Sequence, residues 1–113
     1  MKQSRAFVLD ELATRTDLTW APFRPGVERH DLYDCGPEGP ASALLRYAPG
    51  ATVPAHQHAG FEHIYVIAGA QEDENGRYEA GTMVINPPGT RHFVRSPEGC
   101  LVLVVWLKPV RFV

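Results

Sequence analysis

The chain has 113 residues, 44% apolar and 21% charged, the size and composition of one folded domain; a second independent core and wholesale disorder are excluded. The formal net charge of −2 gives no electrostatic reason to expect nucleic acid or an anionic membrane as a partner. The longest apolar run, Cys100 to Leu107, is far shorter than the roughly 20 residues a membrane-spanning helix needs.

Ten glycines and ten prolines are spread along the chain, a pattern that favours many short strands joined by turns over long helices. Residues 1–19 are expected to form an N-terminal extension. Positions 10–15 within it carry one helical turn at most, because no apolar stripe runs through them. Asp10 and Glu11 stand where a signal peptide needs an apolar stretch, so a cytoplasmic location is expected. Residues 20–113 read as a single barrel domain. Strands are expected over 29–33 and 43–48, ended by the turn-rich run 34–40 and by Pro49-Gly50. A β-branched and aromatic stretch over 62–68 is expected to stop at Gly69. Glu74-Asn75-Gly76 signals a hairpin, and strands over 82–86, 92–95 and 101–107 follow.

The last of these is apolar on both faces. Leu101, Leu103, Val105 and Leu107 point one way, Val102, Val104 and Trp106 the other. A barrel covers only the inner face, so a second copy of the chain is expected over the outer one, giving a homodimer. The alternative is that the N-terminal segment folds back over it. Cys35 and Cys100 lack the spacing of a zinc knuckle and are expected to be reduced, small, buried or half-buried thiols.

The residues that carry chemistry are His56, His58, Glu62 and His92. His56 and His58 are two apart, so in an extended segment they leave the same face. Glu62 follows the small-residue bend Ala59-Gly60-Phe61 and shares face parity with Ile64 and Val66. A carboxylate on that apolar face costs several kcal/mol unless it is paired with an arginine or bound to metal. Imidazole and carboxylate together suit a divalent transition ion, Fe2+, Zn2+, Mn2+ or Ni2+, rather than calcium. His63 alternates away from Glu62, Arg91 away from His92, and His30 lacks a partner in sequence; all three read as structural or surface residues.

The run Gly50-(x5)-His56-x-His58-(x3)-Glu62-(x6)-Gly69 resembles the first motif of the cupin superfamily at every position. Gly81-(x5)-Pro87-x-Gly89-(x2)-His92-(x3)-Ser96 resembles the second, with Ser96 in place of the usual Asn, which is not a metal ligand in the family. The segments 20–28, 44–50 and 72–82 are similar to the ChrR-type cupins, which include the C-terminal domain of an anti-sigma factor and are similar to β-diketone-cleaving dioxygenases. The resemblance implies an all-β, antiparallel, double-stranded β-helix (a jelly-roll-like barrel), one divalent metal on the four residues above, and commonly a homodimer. The anti-sigma factor also has a zinc-binding helical domain. Residues 1–19 hold no Cys or His to build it, so direct sigma-factor inhibition is not expected.

A small-molecule metalloenzyme of the oxygen-dependent dioxygenase type is therefore expected, with a metal-dependent sensing or regulatory module as the alternative. The partner is a small-molecule ligand or substrate. No residue is singled out as catalytic beyond the metal ligands. Tyr47, Phe61 and Phe93 are the candidate pocket residues: Phe61 lies between two ligands, and Tyr47, not Arg46, suits the interior of its strand.

Overall fold

The computed structural model describes residues 3–113. A four-residue helix α1 (Leu9–Leu12) precedes ten strands: β1 (Ala21–Arg24), β2 (Val27–Asp34), β3 (Ala41–Tyr47), β4 (Ala51–His58), β5 (Glu62–Asp73), β6 (Gly76–Glu79), β7 (Met83–Asn86), β8 (Arg91–Ser96), β9 (Cys100–Trp106) and β10 (Val110–Phe112). Every pairing is antiparallel, in the order β1-β2-β3-β9-β5-β8-β4-β10, with β6 and β7 also on β5. The all-β antiparallel architecture is the expected one. The first half of β5 pairs with β7 and β9, its second half with β6 and β8. One long strand thus belongs to both halves of the barrel.

Most strand ends shift by one or two residues, and larger departures from expectation occur at three places. Residues 21–24 and 110–112 are strands that the sequence pattern does not announce, each short and proline-flanked. The third is β5, which does not stop at Gly69 but runs through it to Asp73. Its register shifts between Val66 and Ala68, and Gly69 takes φ +72°, a conformation open to glycine at little cost. A bulge therefore replaces the expected strand end.

The core follows the alternation of the strands. Ala43, Leu45 and Tyr47 of β3 and Val102 and Val104 of β9 pack inside the barrel with Ile64 and Val66 of β5. Leu44 and Leu101 point outward, yet both are buried. They pack with Leu12 of α1, flanked by Phe7, Leu9, Leu18 and Trp20. For this part of the outer face the alternative expectation holds: the N-terminal segment covers it. Leu12 is only 3% exposed, and burying a leucine stabilises by about 1.5–3 kcal/mol. Cys35 is exposed rather than half-buried, Cys100 is buried, and both are free.

Candidate metal centre

A bulge in β4 turns two of the site's histidines inward. In β4, Val53 faces the core and its register against β8 shifts between Val53 and His56. Strict alternation from Val53 would have sent His56 and His58 outward; the irregularity at Pro54-Ala55 reverses the parity, and both imidazoles are buried. Across the ladder His56 lies opposite His92 of β8, a strand that alternates cleanly between exposed and buried positions. Glu62 opens β5 at 4% exposure.

The four side chains converge: one ligand atom from each of His56, His58, Glu62 and His92 lies within 4.8 Å of all the others. His56 Nε2 and His92 Nε2 are 2.9 Å apart. Glu62 Oε1 is 3.0 Å from His58 Nε2 and 3.9 Å from His92 Nε2.

The outer ring nitrogens fix which way the lone pairs point. His56 Nδ1 lies 2.9 Å from the carbonyl of Pro54, which can only accept, so Nδ1 carries the hydrogen. His92 Nδ1 lies 3.1 Å from Asp73 Oδ2, again an acceptor. His58 Nδ1 meets Thr90 Oγ1 at 2.9 Å, and that hydroxyl donates its own hydrogen to the Pro87 carbonyl. All three imidazoles therefore present bare Nε2 atoms to the centre. Two such lone pairs at 2.9 Å repel unless a cation or a shared proton lies between them. Metal–nitrogen bonds of about 2.1 Å at right angles separate neighbouring donors by about 3.0 Å, which the observed spacing matches. His58 Nε2 is buried without a hydrogen-bond partner, as an atom reserved for an ion would be. The buried cluster could thus hold a metal ion.

Charge is balanced within the site. Burial pushes His56 down and so favours the neutral form that a metal needs. Burial alone would push the Glu62 carboxyl up; with the rings protonated, contact with His58 and the charge of the three histidines outweigh burial and hold it below its usual range. A cation would do the same beside neutral rings. Asn86 Nδ2 donates to Glu62 Oε1 at 3.1 Å and Trp106 Nε1 to Oε2 at 2.8 Å, leaving Oε1 facing the histidines. Thr90, Asn86, Trp106 and Asp73 are the supporting residues that sequence reasoning does not assign. Of these, only Trp106 is named by the sequence pattern, on the face of the last strand that it shares with Val102 and Val104.

Beside the cluster lies a cavity of about 30 Å³ walled by Tyr47, Gln71, Trp106 and Phe112 among others, room for one or two waters. Tyr47 is buried while Arg46 is exposed and ion-paired with Glu28. Gln71 Nε2 donates to the Tyr47 hydroxyl at 3.4 Å, and burial pushes that phenol far above its usual range, so it remains a donor. Phe61 and Phe93 do not line this cavity; they are 43% and 41% exposed. Phe93 sits between His92 and Val94, so alternation turns it outward. Phe61 precedes β5 in the bend and escapes its register. A second, more open hollow of about 200 Å³ shares Phe23, Trp106, Val110 and Phe112 with the inner one. Strand β10 pairs Phe112 with His56 and Val110 with His58, and the Phe112 ring lies 5.6 Å from the His56 ring. These side chains partition the hollow from the cluster.

A family model described as the ChrR cupin-like domain matches residues 9–111. The anti-sigma-E factor ChrR of Cereibacter sphaeroides is 34% identical over 99 residues, 85% of this chain and 45% of that protein. The chain therefore spans less than half the length of this curated relative. The crystal structure of Rhodobacter sphaeroides SigE in complex with the anti-sigma ChrR aligns with a TM-score of 0.75 and 28% identity, over 90% of this chain and 57% of that one. An acetylacetone dioxygenase from Acinetobacter johnsonii aligns with a TM-score of 0.80 over 100% of this chain and 80% of that one. At 18% identity that likeness is one of fold. Among the described residues no helix is long and apolar enough to cross a membrane.

Proposed function

The chain belongs to the ChrR cupin-like domain family, and from that premise we propose that it binds one divalent metal ion through His56, His58, Glu62 and His92 and acts on a small molecule there. The observation that carries this reading is the pair of bare imidazole nitrogens 2.9 Å apart, with Glu62 Oε1 beside them. When bound, the ion supplies Lewis-acid or redox chemistry at coordination positions the protein leaves open. Fe2+, Zn2+, Mn2+ and Ni2+ all suit this donor set. Within that class we assign the chain to oxygen-dependent cleavage of enolisable dicarbonyl compounds. The barrel supplies an apolar, water-poor pocket through Leu45, Val53, Ile64 and Val94, and the Tyr47 hydroxyl offers one donor that orients a carbonyl oxygen.

Two observations favour a second reading, a metal-dependent sensing or regulatory module. The inner cavity of about 30 Å³ takes only a ligand of a few atoms while Phe112 stays in place, and 34% identity links the chain to an anti-sigma factor.

Elemental analysis of protein purified without added metal tests the shared premise. About one divalent ion per chain is expected, lost in His56→Ala and His92→Ala. Oxygen uptake by the iron-loaded protein across a panel of β-diketones then separates the readings. Uptake supports the enzyme. Silence across substrates and metals, with the ion still bound, overturns the enzyme and leaves the sensing module.

A further inference from the structure

Three consecutive carboxylates end β5 and enter the β5–β6 hairpin loop, and each grips β8. Glu72 Oε1 accepts from Arg95 Nε at 2.9 Å, Asp73 Oδ2 from His92 Nδ1 at 3.1 Å, and Glu74 Oε1 from the backbone N–H of Phe93 at 2.9 Å. Asp73 differs from its neighbours in being buried: its side chain is only 4% exposed. Its second oxygen, Oδ1, accepts from the Asn75 backbone at 2.8 Å and from the Tyr78 hydroxyl at 2.9 Å. Both oxygens are thus committed, and the carboxylate is fixed in the plane that meets His92.

The three imidazoles are not held alike. The Pro54 carbonyl holds His56 and the Thr90 hydroxyl holds His58; among the described residues His92 is the one with an anionic partner on its outer nitrogen. A carboxylate accepting from Nδ1–H pulls electron density toward Nε2 and makes it the stronger donor, while fixing ring orientation and tautomer. Asp73 reaches this position only because of the parity change between Val66 and Ala68. It lies eleven residues after Glu62, and in an unbroken strand the two would face opposite sides.

We propose that Asp73 is a positioning residue for the metal centre: it sets the tautomer and aim of His92 and strengthens its bond to the ion, with Tyr78 holding Asp73 in place. This rests on the reading of His92 as a ligand. The hairpin thereby becomes part of the site, although its residues do not touch the ion.

The test uses Co2+ as probe, with affinity measured by competition against a chromophoric chelator and geometry by the visible spectrum of the Co2+ form. Asp73→Asn is expected to weaken binding by about 10–100-fold and to change the spectrum. Tyr78→Phe, which leaves the His92 contact in place but removes one of the two donors to Oδ1, is expected to weaken it less and in the same direction. Glu74→Ala loosens the hairpin without touching His92 and is expected to bind Co2+ as tightly as the parent. Equal affinity and an equal spectrum for Asp73→Asn overturn the proposal. So does a loss in Glu74→Ala as large as in Asp73→Asn, since docking of the hairpin would then be the cause. Should Asp73→Asn fail to fold, Tyr78→Phe decides, and its unchanged affinity overturns the proposal. Failure of the parent protein to bind Co2+ overturns the ligand reading and this role with it, whereas parental binding with unaffected variants overturns the positioning role alone.

Discussion

Trp106→Phe isolates one hydrogen bond to a buried charge. The indole Nε1 donates to Glu62 Oε2 at 2.8 Å, and the carboxylate is 4% exposed. Phenylalanine keeps most of the apolar contact with Phe23. The loss is then about 1.5–3 kcal/mol, the usual worth of a hydrogen bond to a charged group. With about 2.1 cal/mol/K of unfolding entropy per residue, a chain of this length has about 0.24 kcal/mol/K, and the melting temperature falls by about 6–12 °C. The assay is calorimetry of metal-free protein at neutral pH. The sign of the pH dependence is fixed as well. The Glu62 carboxyl is held below its usual range in the fold, so its stabilisation is complete above the unfolded value and disappears as pH falls through the folded one. The deficit of the variant should therefore be full at neutral pH and shrink in acid. A shift below about 2 °C at neutral pH, or a deficit that grows in acid, would refute the electrostatic account of the Trp106–Glu62 contact.

Other consequences are equally accessible. A Cβ on Gly69 would sit 2.2 Å from the Gly99 carbonyl oxygen at a φ of +72°, so Gly69→Ala should cost at least about 3 kcal/mol by denaturant melting. Leu12→Ala should cost about 2–5 kcal/mol and, by uncovering Leu44 and Leu101, produce self-association visible in sedimentation; retained stability would show that the N-terminal cover contributes little. Phe112 stacks under Arg24 at 3.7 Å and against His56. Phe112→Ala should speed extraction of the ion by a chelator on the order of tenfold, the equivalent of about 1.4 kcal/mol of lost packing. Unchanged extraction kinetics would mean that the ion leaves by another route.

What the sequence discloses and what it hides divide along the regularity of the strands. Strand β8 alternates without interruption, so the inward aim of His92 and the outward aim of Arg91 can be read directly. His56 and His58 share a face by spacing alone, but which face depends on the irregularity at Pro54-Ala55. Asp73 is hidden for the same reason: parity from Glu62 sends it outward, and the bulge near Gly69 brings it back. The supports Thr90 and Asn86 lie in a turn and at a strand end, where period-two patterning carries no information. The N-terminal cover was obscured because Phe7, Leu9, Leu12 and Leu18 are diluted among polar residues; the apolar face on β9 makes their packing intelligible only once folded. Phe61 and Phe93 are next to ligands in sequence but do not line the cavity: Phe93 alternates away from His92, and Phe61 lies in the bend before β5.

Three of the four cluster residues, His56, His58 and Glu62, fall within one short stretch across the end of β4 and the start of β5, and only His92 arrives from a distant part of the chain. An unstructured chain therefore already carries a crude chelating peptide, which would capture an ion before the barrel closes. Ion captured by that peptide would offset stabilisation of the folded form. Protection against heat should accordingly rise with added metal and then level off, rather than climb without limit.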